Sequence, residues 1–117
     1  MNCATVRFGR LRSRREFDAV MRGRRRARHR LVAMSIRDNQ LPHNRYGLSV
    51  SRRVGAAVTR NRVKRRLREI LRALPLTAGN DVVVTAQPPS ASASFEELRR
   101  DIERCAQQIG ILLMDER

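Results

Sequence analysis

The stretch that most restricts this chain runs from Val58 to Leu74, VTRNRVKRRLREILRAL. Val63, Leu67, Ile70, Leu71 and Leu74 recur at i, i+4, i+7, i+8 and i+11, the stripe of an amphipathic helix. At about 100° per residue, Asn61, Arg65, Arg68 and Arg72 point away from that stripe, with Arg62 and Arg66 on one flank and Lys64 on the other. Gly55 frees the backbone ahead of the helix, Thr59 is a candidate cap, and Pro75 stops it. Glu69 is the only acid in the stretch. Like charges at i, i+4 repel, and an ordinary solvated face mixes signs. A face of one sign is relieved when a polyanion docks, so the helix points to nucleic acid.

The whole chain carries the same bias. Its 117 residues have a formal net charge of +15, more than solubility requires. The length suits one domain with one modest core. No apolar run approaches the roughly 20 residues of a membrane-spanning helix, and no secretory pattern opens the chain. Arginine supplies nearly all of the positive charge, with Lys64 the only lysine. Its guanidinium fork grips phosphate and its plane stacks on bases. Cys3 and Cys105 show neither metal-ligand spacing nor a disulfide framework and read as free thiols of a cytoplasmic protein. With no Trp and only 3% aromatic residues, base-stacking platforms must be few.

The remaining elements read in order. Residues 1–10 lack periodicity and are expected to be an extended arm, with Val6 and Phe8 as packing candidates. Ser13 to Arg22 is a short helix with Ser13 and Glu16 as a capping box, Phe17, Val20 and Met21 on its apolar stripe, and Gly23 at its end. Arg24 to Arg30, RRRARHR, reads as a phosphate-contacting surface loop. Leu31 to Ile36 and Tyr46 to Ser51 are strands, joined by a hairpin connection around Pro42. In the second strand Tyr46, Leu48 and Val50 face one side. Arg45, Gly47, Ser49 and Ser51 face the other, where the lack of bulk lets another backbone approach. Asp81 to Ala86 is a strand whose VVV core predicts burial on both faces. Gln87 to Ala93 is a loop. Ser94 and Glu97 form a second capping box, opening a helix striped by Phe95, Leu98, Ile102, Cys105, Ile109 and Leu112. The order predicts an α+β fold, a small sheet packed on helices, in one RNA-binding domain over residues 1–117.

No catalytic residues emerge. His29 and His43 both sit in polar loop context. No Ser or Cys has a His and carboxylate arrangement, and no carboxylate cluster is placed to hold Mg²⁺ for phosphodiester hydrolysis.

The run GLSVSRRVGAAVTRNRVKRRLREILR, Gly47 to Arg72, closely resembles the signature of the protein subunit of bacterial ribonuclease P. That signature is a strand ending Ser-x-x-x-Gly, followed by an Arg-Asn-Arg-x-x-(Lys/Arg)-Arg helix. Ser51, Gly55, Ala57, Val58, Arg60, Asn61, Arg62, Lys64, Arg65, Arg68 and Glu69 stand at the matching positions. The likeness extends more weakly to LRSRREFDAVMRG and to DVVVTAQPP followed by SFEEL. It implies a two-layer α/β sandwich with a βαβ crossover, akin to domains of ribosomal proteins. It also implies a partner RNA that is the catalyst and holds the Mg²⁺, and a role for the protein in removing the 5′ leader of precursor tRNA. No cofactor is expected on the protein alone, and neither a membrane nor a small-molecule substrate is expected as a partner.

Carried over by position, Arg60, Asn61, Arg62, Lys64, Arg65 and Arg68 are expected to touch the catalytic RNA. A cleft between the first helix and the sheet is expected to take the leader, lined by Phe17, Met21, Met34 and Ser49, with Arg52 and Arg53 replacing the family's usual lysines. Met21 and Met34 stand where many members carry aromatic residues, which shifts leader contact toward arginine. Since Arg65 and Arg68 point away from the packed stripe, they are expected to lie apart from the cleft. The alternatives are a ribosomal or general RNA-binding protein, and a nuclease acting without RNA.

Overall fold

The structure is a computed structural model that describes residues 9–113 apart from 12 and 24. The expected arm falls largely outside these residues, as does Cys3. Gly9–Arg10, its last two residues, form a short strand, β1. Then follow α1 (Arg14–Met21), β2 (Arg25–Arg28), β3 (Val32–Asp38), β4 (Arg45–Ser49), α2 (Ala57–Ala73), β5 (Asn80–Ala86) and α3 (Phe95–Ile109). Short 3-10 turns cover Arg52–Val54 and Pro88–Ser92.

The strands lie in the order β1-β4-β5-β3-β2. β5 is central, parallel to β4 and antiparallel to β3, and β4–α2–β5 forms the βαβ crossover. Every residue of β5 except Thr85 is buried, which is why it can be almost continuously apolar. Two expectations change here. β3 and β4 do not form a hairpin, because β5 lies between them. The basic run after α1 is not a loop: Arg25–Arg28 is an edge strand antiparallel to β3, with Arg26 opposite Ser35 and Ala27 opposite Met34. An edge strand is held by main-chain pairing and carries charge readily.

Strand alternation divides the interior. Val32, Met34 and Ile36 of β3, Tyr46 of β4, and Val82 and Val84 of β5 pack with Val63, Leu67, Ile70 and Leu71 of α2 and Leu98, Ile102 and Cys105 of α3. Val83, on the other face of the sheet, packs with Leu11, Val20 and Phe17. The sheet and the α2–α3 layer thus make the sandwich, and α1 lies across the opposite face.

Both capping boxes form. Glu16 N–H donates to Ser13 Oγ at 3.0 Å, and Glu97 N–H to Ser94 Oγ at 3.1 Å. α2 is different. Its cap is Ala56, with no side-chain hydrogen bond, and Thr59 lies inside the helix. Gly55, at φ 152°, makes the turn into it, and α2 ends before Pro75 as expected.

Candidate nucleic-acid interface

Among the described residues β1 pairs with β4 at Arg45 and Tyr46, with one further bond from Leu11 N–H to the Tyr46 carbonyl at 2.9 Å. Among the described residues no strand covers the outer edge of β4 from Gly47 to Ser49. A groove opens there in two connected parts that share Leu11 and Phe17. One, about 220 Å³, is lined by Arg10, Tyr46, Gly47 and Leu48 together with Lys64 and Arg68 of α2. The other, about 530 Å³, is lined by Ser13, Arg14, Asp18, Met21 and Ser49. Phe17 lines both parts.

The groove gathers what single-stranded nucleic acid needs: an aromatic surface, small strand residues that admit a backbone, and cations from three elements. Phe17 is held from behind. Its neighbour Glu16 accepts a hydrogen bond from Arg45 Nη1 at 2.8 Å, while Arg45 Nε and Nη2 donate to the two Asp81 oxygens at 2.8 and 2.7 Å. Asn39 adds a third donor to Asp81 at 2.9 Å. The hydrogen bonds to Asp81 raise the Arg45 pKa further above its ordinary value. The guanidinium therefore ties α1 to β4 and β5 as a permanent cation.

The groove brings Phe17, Met21 and Ser49 together, as expected, but excludes Met34. Met34 is fully buried, opposite Val84 and among the α2–α3 core. Alternation along β3 places it on the face opposite to Ser49. Arg52 and Arg53 are exposed on the turn after β4 and line neither part of the groove. Arg68, expected to lie apart from the cleft, lines it beside Lys64. Those two residues sit one turn apart on the flank of α2 that meets the open edge of β4, so their long side chains reach around it. Arg10, Tyr46 and Leu48 complete the lining. The i, i+4 spacing of Lys64 and Arg68 was a visible signal for their pairing, whereas nothing local marks Arg10.

Asn61 and Arg65 are exposed on the back of α2. The other motif arginines are partly engaged within the protein. Arg60 Nε donates to the Gly55 carbonyl at 3.1 Å, Arg62 to that of Ala91 at 2.9 Å, and Arg66 to that of Ala93 at 3.0 Å. Arg62 and Arg66 thus fasten the Pro88–Ser92 turn to α2, at the cost of leaving Arg62 Nε buried without a partner among the described residues. No group of three or more His, Cys, Asp or Glu side chains placed to hold a metal ion occurs among the described residues, nor does a helix long and apolar enough to cross a membrane.

The model of the ribonuclease P family matches residues 6–110. The chain belongs to the ribonuclease P protein family. A relative from a Nocardioides species, a ribonuclease P protein component, is 46% identical over 99 residues, covering 80% of this chain and 83% of that one. Another so named, from Kocuria rhizophila, is 41% identical over 109 residues, covering 83% and 95%. The ribonuclease P protein of Staphylococcus aureus shares the fold, with a TM-score of 0.81 at 22% identity over 92% of this chain and all of that one. The ribonuclease P protein from Thermotoga maritima gives a TM-score of 0.74 at 28% identity, over 81% and 92%. The basic helix and the groove both lie within the residues that the family model matches.

Proposed function

We propose that this protein is the protein subunit of ribonuclease P, binding the catalytic RNA through α2 and receiving the 5′ leader of precursor tRNA in the groove beside Phe17. Assembly assists endonucleolytic removal of the leader to give the mature tRNA 5′ end. Hydrolysis of the phosphodiester bond is left to the RNA, with Mg²⁺ in the assembled complex held mainly by that RNA. The observation that carries this reading is the meeting of the Phe17 ring with Lys64 and Arg68 at the open edge of β4. A leader strand lying there stacks on Phe17 and sets its phosphates against the two cations, while Gly47 and Ser49 leave room for its backbone. The exposed Arg65 stays available to the catalytic RNA. Because Arg68 reaches the groove, leader and catalytic RNA meet along one flank of α2 rather than on separated surfaces.

The test combines RNA-free protein with precursor tRNA, with and without the ribonuclease P RNA at low Mg²⁺. Cleavage is expected only with the RNA, and faster when protein is present. Cleavage by protein alone would make it an independent nuclease. RNA binding with no effect on cleavage would make it a general RNA-binding protein.

A further inference from the structure

The groove occupies one edge of the sheet; the opposite edge is β2. Its outer side is unpaired among the described residues, and Arg25, Arg26 and Arg28 are exposed along it. α3 packs against this strand: Arg25 donates to the Ile109 carbonyl at 2.9 Å, and His29 Nε2 lies 3.0 Å from Gln108 Oε1. The packing brings Arg100 and Arg104 beside Arg30 around a cavity of about 390 Å³. Two acids share that lining, and both are engaged. Asp101 is buried, accepting from Leu31 N–H at 2.9 Å and from Arg104 at 3.4 Å. Glu97 closes its capping box by accepting from Ser94 N–H at 2.8 Å. Arg100 also lies 3.8 Å from Glu96. The surface remains cationic, since more arginines than acids converge on it.

We infer that the β2–α3 edge is a second polyanion-binding face, holding the sugar–phosphate backbone of a further segment of the catalytic RNA. The inference rests on the reading that the ribonuclease P RNA is the partner. Two features favour a structured RNA backbone over a single strand. No Phe, Tyr or Trp among the described residues lines the cavity, and its His29 ring is tied to Gln108, so it offers bases a poor stacking surface. The cavity's donors are guanidinium groups from the segment after β2 and from α3, which suit phosphates presented by a folded RNA. Distance separates this face from the groove: three interstrand steps of about 4.8 Å put β2 roughly 14 Å from the open edge of β4. Protection against edge-to-edge aggregation would account for charge on β2. It does not account for the arginines that α3 adds beside it.

The test is Arg30→Gln/Arg100→Gln/Arg104→Gln, three exposed residues that line the cavity, in the full-length protein. Affinity for ribonuclease P RNA is measured across a salt series, with thermal unfolding as the control for folding. Binding should weaken about tenfold or more, and the log–log salt slope should become shallower by about three. Hydroxyl-radical footprints should lose an RNA segment different from the one lost with Arg65→Ala. Wild-type affinity and slope in the triple variant would overturn the inference, as would coincident footprints or a loss confined to precursor tRNA in the assembled complex. So would increased self-association with unchanged RNA binding. If the triple variant does not fold, Arg30→Gln alone should still lower the slope by about one, and an unchanged slope there overturns it. Failure of the wild-type protein to bind the RNA would instead refute the underlying reading.

Discussion

Gly47 lets the Phe17 ring lie directly on β4: a Cβ at position 47 would stand 2.9 Å from Phe17 Cε2 and 3.1 Å from Leu11 Cδ1. The small residue therefore sets how deep the ring sits, and the groove depends on that depth.

Gly47→Ala should displace Phe17 and Leu11 together. Overpacking of this kind costs about 1–3 kcal/mol, expected here near the low end because the half-buried ring can move outward. Denaturant unfolding measures that loss. In the assembled complex, the affinity ratio of precursor to mature tRNA should fall as well.

Phe17→Ala should leave binding of the ribonuclease P RNA nearly unchanged. Losing one stacking surface should weaken precursor tRNA by about 1–3 kcal/mol and spare mature tRNA, which has no leader. An unchanged ratio in a folded variant would remove Phe17 from the leader path.

The arginines of α2 should divide into three classes. Arg65→Ala should weaken assembly with the RNA by about 1 kcal/mol or more through loss of a charge-assisted contact, with unfolding unaffected. Arg62→Ala and Arg66→Ala each remove a bond to a backbone carbonyl and should lower stability by about 1 kcal/mol. Arg68→Ala should depress both assembly and the precursor-to-mature ratio. RNA titration and denaturant melts on the same preparations separate the classes.

Burial pushes the Cys105 thiol up to about 12. In a Cys3→Ser background, native protein should react slowly with a thiol reagent at mildly alkaline pH and fast once denatured. The linkage has a definite sign. Between the unfolded thiol's ordinary value and about 12, the unfolded chain binds fewer protons, so this group's contribution to stability falls as pH rises. Cys105→Ala should flatten that part of the stability profile.

Much of the frame was legible because its signals are local. Ser13 with Glu16 and Ser94 with Glu97 mark helix starts within four residues, and the stripe from Val63 to Leu71 identifies the buried face of α2. Alternation in β4 correctly separated Tyr46 and Leu48 from Gly47 and Ser49. The misplacements all involve relations between distant segments. The composition of Arg25–Arg28 resembles a loop, and only its pairing with β3 makes it a strand. Met34 required knowing which face of β3 continues the Ser49 face of β4, and that register runs through β5. The Arg45 bridge to Glu16 and Asp81 joins three elements that carry no shared pattern. Arg68 reached the groove because β1 ends at Arg10 and leaves the edge of β4 open beyond Tyr46, a property that nothing within α2 could reveal.

The position of β5 also has a consequence for the order in which the protein is made. It is the last of the described strands in the chain and the middle one in the sheet. Before residue 80 emerges from the ribosome, the pairings available to the described strands are β1 with β4 and β2 with β3. Each is a two-stranded ribbon, marginal in water by itself. The Arg-rich α2 is therefore synthesised before the sheet it must pack on can close. For that interval the nascent chain has its attraction for polyanions without the shape that directs it. Selectivity arrives with β5, when one strand joins the two ribbons and gives the charge a fixed geometry.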